Sequence, residues 1–373
     1  SNANGVTGLT TTALTGATIA VTGAAYDLAS PTFASTVVFG NVRRGATSTL
    51  AVGNPVAVNG DAAFQDSLDL VATASNASLT LAGATANVVA GNSANVVVTA
   101  AAAGSLAGSL TLGLTSNANG LAGLSDVALT AGNVTVTGAS YDYATATLGA
   151  NALTFGDVRT GATRTASLAN TILAGGNAAY QDSLDIAAST AVGTLALSAP
   201  AKLLAGQSGN VVVTAATAGS LAGSVALGLT SNANGVTSLG NLALDGATVA
   251  ITGAAYDLAS PTYVATNALG NLRVGVTTKT LAVDNATISN LAYQDKLAVV
   301  ATGAAGLTLT NPADIAAGEA GNVTLGASVA GSLTGNLSLA FTSKALTGTT
   351  LTDVTLAGGS IALTGAAYDY ARA

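Results

Sequence analysis

A long internal repeat is the feature that most constrains how this chain of 373 residues can fold. The hexapeptide SNANGV occurs at Ser1 and again at Ser231, with SNANGL at Ser116 between them, so the landmark returns every 115 residues. A Ser-Asn-Ala left by vector cleavage would not fall in register with this repeat, so we interpret Ser1 as native sequence. Solenoid rungs such as those of β-helices recur about every 20 residues, and no such period is present. The repeat therefore predicts three separate domains.

Within each repeat, apolar residues alternate with small polar residues, which is typical of half-buried β-strands. In GSLTLGLTSN, the residues Leu110, Leu112 and Leu114 alternate with threonine and glycine. The V-x-V-T-G segments follow the same period through Ile19 and Val21, Val134 and Val136, Val249 and Ile251, and Ile361 and Leu363. No window shows an apolar stripe with the helical period. We predict an all-β chain of tandem antiparallel β-sandwich domains.

The motifs resemble those of a known family. FGNVRRG at Phe39 returns as FGDVRTG at Phe155 and LGNLRVG at Leu269, followed by a strand ending near Asn, an A-G-x-S turn and a final V-x-V-T-G strand. This order is similar to the immunoglobulin-like ASH/HYDIN-type domains that occur in tandem in bacterial surface proteins, as choice-of-anchor D repeats. The resemblance implies immunoglobulin-like sandwiches and surface display, and it implies no catalytic residue.

The Tyr-Asp pairs at the ends of the V-x-V-T-G segments give the expected domain boundaries. We predict immunoglobulin-like repeats at 31–145, 146–260 and 261–373. Residues 1–30 then form the final strand of a preceding repeat, with an unpaired edge. We expect it to derive from truncation of a longer array, and the alternative is a donor strand that adds to a neighbour.

The composition excludes several classes of function. Charged residues make up 7% of the chain, against about a quarter in ordinary soluble domains, and the net charge is −7. Ten scattered Lys and Arg residues disfavour nucleic-acid binding. His and Cys are absent, which removes the usual metal ligands and the His-dependent nucleophilic triads. No apolar run is long enough to insert into a membrane. We predict no enzyme activity, no catalytic residue, no cofactor and no metal.

Three charged positions recur in register: the Asp of each Tyr-Asp pair, the Arg of each Phe-Gly-x-Val-Arg turn, and the Asp of each Gln-Asp pair. We interpret them as structural ion pairs at domain junctions, and a recognition strip along the array is the alternative. The candidate residues are Asp27, Asp142 and Asp257, Arg43, Arg159 and Arg273, and Asp66, Asp182 and Asp295.

Two other sets of residues have functional alternatives that we disfavour. Asp66 with Asp69, and Asp182 with Asp185, could contribute to calcium sites, but the third repeat has Ala298 in the second position and no calcium-loop motif occurs. Nine of the fourteen aromatic residues lie at three recurring places, where we expect them to anchor the cores rather than stack on a sugar.

The predicted outward strand positions carry Ala, Gly, Ser and Thr where soluble sandwiches usually carry Lys and Glu. Such faces favour close association with other chains, since few charges would be buried, although a low-charge secreted surface would look the same. We therefore expect an extracellular or cell-surface filament or adhesin stalk that self-associates or contacts neighbouring repeats. The alternative is a module that binds carbohydrate or a host protein through loops at one sandwich end.

Overall fold

A computed structural model describes residues 1–303 and 305–371. Those residues form β-strands joined by turns, with three short 3-10 turns at Ala62–Phe64, Ala178–Tyr180 and Leu291–Tyr293. The chain divides into two compact units, Ser1–Tyr141 and Asp142–Ala373. The first unit contains repeat 1, and the second contains repeats 2 and 3.

Eleven strands form repeat 1. They are β1 (Thr32–Phe33), β2 (Thr36–Arg43), β3 (Thr47–Asn54), β4 (Ser67–Ala74), β5 (Leu79–Ala82), β6 (Thr85–Val88), β7 (Asn92–Ala100), β8 (Gly104–Ser105), β9 (Gly108–Asn117), β10 (Val127–Ala128) and β11 (Gly132–Tyr141).

Repeats 2 and 3 reproduce this series. Repeat 2 contains β12 (Ala146–Leu148), β13 (Ala152–Arg159), β14 (Thr163–Asn170), β15 (Ser183–Thr190), β16 (Leu195–Ser198), β17 (Lys202–Leu203), β18 (Ser208–Ala215), β19 (Gly219–Ser220), β20 (Gly223–Asn232), β21 (Leu242–Ala243) and β22 (Ala247–Tyr256). Repeat 3 contains β23 (Pro261–Tyr263), β24 (Thr266–Arg273), β25 (Thr278–Asn285), β26 (Lys296–Thr302), β27 (Leu307–Thr310), β28 (Ala320–Ala327), β29 (Gly331–Ser332), β30 (Gly335–Lys344), β31 (Val354–Thr355) and β32 (Gly359–Tyr368).

The strand order in each repeat is that of an immunoglobulin-like sandwich. In repeat 1 one sheet has the order β1-β3-β7-β5, and the other has the order β2-β11-β9-β4-β6. These correspond to the ABED and GFC sheets of the immunoglobulin fold, with the first strand divided between the two sheets. Repeats 2 and 3 have the same order of main strands. The predicted all-β class and tandem immunoglobulin-like sandwiches are confirmed.

One pairing in each repeat differs from the predicted antiparallel arrangement. The strand carrying the Phe-Gly-x-Val-Arg motif pairs in parallel with the closing strand, as β13 does with β22. The direction follows from the chain path, because the first strand crosses to the second sheet and lies beside the last strand, which runs the same way. Alternation of side chains sets which face is buried but not the direction of the neighbouring strand.

The core of each repeat lies between its two sheets and follows the predicted alternation. Leu110, Leu112 and Leu114 are all buried, and so are their counterparts in the other repeats: Val225, Leu227, Leu229, Leu337, Leu339 and Phe341. Each repeat has a separate cluster of buried apolar side chains. Burial of alternate residues on both inner faces is what holds a sandwich of this kind together.

The expected strand around Ile19 and Val21 is not formed. Residues 1–26 contain no strand, and Ile19 and Val21 are 84% and 91% exposed. A closing strand of this fold lies between two neighbouring strands of its sheet, and no strand of the described residues pairs with this segment. The segment meets repeat 1 at Asp27, which forms a parallel bridge with Gln65.

Candidate functional site

The recurring polar residues gather at the end of each sandwich where the chain enters. We call this cluster the junction pole and define it by one Asn, one Gln-Asp pair and one Ser in each repeat. The poles consist of Asn54, Gln65, Asp66 and Ser116 in repeat 1, Asn170, Gln181, Asp182 and Ser231 in repeat 2, and Asn285, Gln294, Asp295 and Ser343 in repeat 3. All of these side chains are buried.

The Asn that ends β3, β14 or β25 organises each pole. In repeat 3, Asn285 Nδ2 donates to the carbonyl oxygens of Asp295 (2.9 Å) and Ile315 (3.2 Å). Its Oδ1 accepts from Ser260 N at 2.9 Å and from Gln294 Nε2 at 3.1 Å. The buried amide is thus fully hydrogen-bonded, as a polar group removed from water must be to avoid a large penalty.

The aspartate of the Tyr-Asp pair attaches the incoming chain to the pole. Asp257 N donates to Tyr293 O, and Asp295 N donates back to Asp257 O at 3.0 Å. The Asp257 side chain is buried and accepts from Ser289 Oγ. The other two repeats form the same backbone bridges through Asp27 and Asp142.

The aspartate of the Gln-Asp pair is held by a serine that opens the SNANG landmark in repeats 1 and 2 and the sequence SKA in repeat 3. Ser343 Oγ donates to Asp295 Oδ2 at 2.7 Å and accepts from Ala259 N at 2.8 Å. The counterparts Ser231 with Asp182 and Ser116 with Asp66 have donor–acceptor distances of 2.7 and 2.8 Å. The first residue of the landmark at Ser116 and at Ser231 thus orients a buried carboxylate.

In the second unit an arginine from one repeat reaches the pole of the next. Arg159 is the last residue of β13 and lies opposite Tyr256 at the end of β22. Its Nη2 atom lies 2.7 Å from Asp295 Oδ2, with side-chain exposures of 24% for Arg159 and 0% for Asp295. The same nitrogen donates to Thr352 O at 3.3 Å. The structure therefore places a charge-assisted hydrogen bond between consecutive repeats.

Tyr256 and Tyr293 pack against each other between repeats 2 and 3. The rings of Tyr256 in repeat 2 and Tyr293 in repeat 3 have centroids 5.4 Å apart, and both residues are half-buried. Burial and the nearby Asp157 carboxylate raise the pKa of Tyr256 above its ordinary value. The expectation that these tyrosines anchor the cores is wrong, because each lies at a strand end or turn outside the two sheets' inner faces. Phe155 and Phe341 do lie in the cores.

The other candidate residues occupy equivalent places. Arg43 ends β2 opposite Tyr141, and Arg273 ends β24 opposite Tyr368. Asp142 and Asp182 are buried at the pole of repeat 2. Arg273 is exposed, donates to Asp369 O at 3.0 Å, and lies over the Tyr370 ring at 5.3 Å.

The sequence analysis did not identify the Asn and Ser of the poles as site residues. Their signal was present, because polar residues that recur in register at strand ends are candidates for buried hydrogen bonding. The Asn residues stand at the end of the strand after each Arg turn. Ser116 and Ser231 open SNANG landmarks, and Ser343 opens the SKA that stands in the same place in repeat 3.

Within residues 1–303 and 305–371, no three acidic side chains come together in a way that could hold a metal ion. Nor does that part of the chain contain a helix with the length and apolar character needed to cross a bilayer.

Comparisons with known proteins give structural likenesses only. No protein-family model matches the chain, and no curated protein matches it significantly. An I-band fragment of titin, I67–I69, has a TM-score of 0.33 at 9% identity, over 91% of this chain and 99% of that fragment. The human desmocollin-1 ectodomain has a TM-score of 0.32 at 10% identity, over 92% of this chain and 62% of that one. The D00-D0 domain of intimin has a TM-score of 0.26 at 13% identity, over 56% and 94%. At these TM-scores the fold assignment rests on the strand order described above.

Proposed function

We propose that this chain is a non-catalytic structural segment of an extracellular or cell-surface protein, in which tandem immunoglobulin-like repeats provide reach and stiffness. The observation that carries the proposal is the ion pair between Arg159 and Asp295, which joins two consecutive sandwiches. The resemblance to bacterial ASH/HYDIN-type repeats and the low surface charge favour a bacterial filament or adhesin stalk.

The buried pair orients one repeat on the next. Replacing a buried ion pair with apolar residues is often neutral or stabilising, so the pair is a poor source of net stability. Its geometry is directional, however, since the guanidinium must meet one carboxylate oxygen that Ser343 already holds. A second contact, in which Thr350 N donates to Asp157 Oδ2 at 3.0 Å, lies on the same side of the junction. The repeats therefore resist bending and twisting at this point.

Arg159→Gln tests this role. We expect it to lower the free energy of unfolding of the second unit by about 1–2 kcal/mol, because a buried carboxylate loses its charged donor while Arg159 itself was partly solvated. We also expect larger reorientation of repeat 3 relative to repeat 2, measured by NMR residual dipolar couplings.

Lys279→Gln is the matched control. Lys279 is an exposed cation on β25 that forms no ion pair within the residues that the structure describes, so we expect no change in either measurement. Unchanged stability and unchanged couplings in Arg159→Gln would overturn the stiffening role. Loss of adhesion without any structural change would favour the ligand-binding alternative.

A further inference from the structure

The pole of repeat 1 has the buried carboxylate of the junction but no arginine. Asp66 is 5% exposed, and its Oδ2 accepts from Ser116 Oγ as Asp295 Oδ2 does from Ser343. Among the described residues, no cation lies within ion-pair distance of Asp66, whereas Arg159 lies on the equivalent oxygen of Asp295. A buried carboxylate without a cation is costly, so this pole has the chemistry of a guanidinium site.

Repeat 3 presents the complementary group. Arg273 ends β24 in the position that Arg159 has in β13, but it is exposed and donates only to a backbone carbonyl within the described part of the chain. Within residues 1–303 and 305–371, the Asp66 carboxylate therefore has no arginine beside it, and the Arg273 guanidinium has no carboxylate.

The segment before Asp27 carries the sequence of a closing strand. Residues 17–27 read ATIAVTGAAYD, and residues 247–257 read ATVAITGAAYD. In β22 the two apolar residues Val249 and Ile251 are 0% and 1% exposed, whereas Ile19 and Val21 are almost fully exposed. An alternating apolar segment in water is unfavourable and suited to adding to a sheet.

The end of this segment contacts repeat 1 in the way that the end of repeat 2 contacts repeat 3. The rings of Tyr26 and Phe64 have centroids 5.5 Å apart, as Tyr256 and Tyr293 do within the second unit. Asp27 N donates to Phe64 O at 2.9 Å, and Asp66 N donates to Asp27 O at 2.9 Å. In the part of the chain that the structure describes, no strand pairs with residues 17–26 and no arginine contacts Asp66.

We propose that the third repeat of a second copy of this chain supplies a strand neighbour for residues 17–26 and an arginine for Asp66. Residues 17–26 of one copy take the place of β32 beside β24 in the other, which brings that copy's Arg273 to Asp66. The exchange costs little, because the two closing strands have nearly the same sequence, and exchange of like elements is a known route to association. Contacts of this head-to-tail kind extend into filaments when they do not close into rings. The inference rests on the proposed junction role of the Arg and Asp residues.

The full-length variant Ile361→Asp/Leu363→Asp tests the proposal. These residues are buried in β32, so the variant's own closing strand becomes unfavourable while β24 and Arg273 are unaltered. After refolding at high micromolar concentration, light scattering behind size exclusion should show masses in multiples of 35.3 kDa. The wild-type chain should form a smaller fraction of the same oligomers, because its own closing strand competes.

Two further sets of variants separate strand exchange from general aggregation. Adding Ile19→Asp/Val21→Asp should return the variant to monomers, whereas adding Ala20→Asp, on the opposite side of the segment, should not. Asp66→Asn or Arg273→Gln should each weaken association by about tenfold or more, since a charge-assisted hydrogen bond is lost.

The proposal is overturned if the Ile361→Asp/Leu363→Asp variant stays monomeric, or if its oligomers persist with Ile19→Asp/Val21→Asp. Either result would leave the junction role of Arg159 intact, because that role is measured within one chain.

Discussion

Asp295→Asn is expected to lower the free energy of unfolding of the second unit by about 2–3 kcal/mol. Asp295 is fully buried, and its carboxylate accepts from both Arg159 and Ser343. The substitution removes the negative charge and leaves the guanidinium partly buried beside a neutral amide. Removing one partner of a buried ion pair is costly because the remaining charge is no longer compensated. Amide hydrogen exchange measures the effect, because it reports on each sandwich separately.

Asp66→Asn is the matched control for this substitution, and we do not expect it to lower the free energy of unfolding. Asp66 has the same serine partner and similar burial, but no cation lies near it in the part of the chain that the structure describes. In dilute solution, neutralising it should leave the stability of repeat 1 unchanged or slightly raised, because a desolvated charge is removed. Equal losses from Asp66→Asn and Asp295→Asn would show that Arg159 contributes nothing to the pole.

Gly253→Ala is expected to destabilise repeat 2 by about 3–5 kcal/mol. Gly253 has φ +130°, and an added Cβ would lie 2.5 Å from Gly156 O and 2.8 Å from Phe155 Cβ. Gly253 lies at the register shift in the parallel pairing of β13 with β22. The added Cβ would therefore clash with backbone that cannot move without separating the two strands. Hydrogen exchange of the β22 amides should therefore accelerate strongly.

Gly23→Ala provides the control in the same Thr-Gly-Ala-Ala-Tyr sequence. No atom lies within 4 Å of the Cβ that would be added at Gly23. We expect a change of less than about 0.5 kcal/mol, as for other exposed positions. A mild effect of Gly253→Ala, comparable to that of Gly23→Ala, would contradict the parallel pairing described here.

Local side-chain pattern was sufficient to predict the fold class and the buried faces. The alternation of Leu227 and Leu229 with glycine and threonine sets the inner face of a strand whatever its neighbours are, and both residues are buried. Strand direction is different, because the pairing of β13 with β22 joins residues that are distant in sequence. Ile19 and Val21 show the limit of such patterns, since a strand forms only where neighbouring strands are present.

The candidate site was predictable in its charged residues but not in its geometry. Repetition of Arg159 and Asp295 in a chain poor in charge indicated pairing at domain junctions, but not which of the recurring aspartates Arg159 would meet. Asn285 and Ser343 were missed because small polar residues are common throughout this sequence. Tyr293 was assigned to the core because large rings usually contribute most by burial, whereas here it packs against Tyr256 outside the sheets.

A double-mutant cycle on Arg159→Gln and Asp295→Asn tests most directly whether the poles join consecutive repeats. The two residues lie in different sandwiches, so a coupling energy between them reports on the junction alone. We predict a coupling of about 1.5–3 kcal/mol in the free energy of unfolding, which is the range for a hydrogen bond between charged groups. Additive effects, with a coupling below about 0.3 kcal/mol, would show that the junction is not held by this pair.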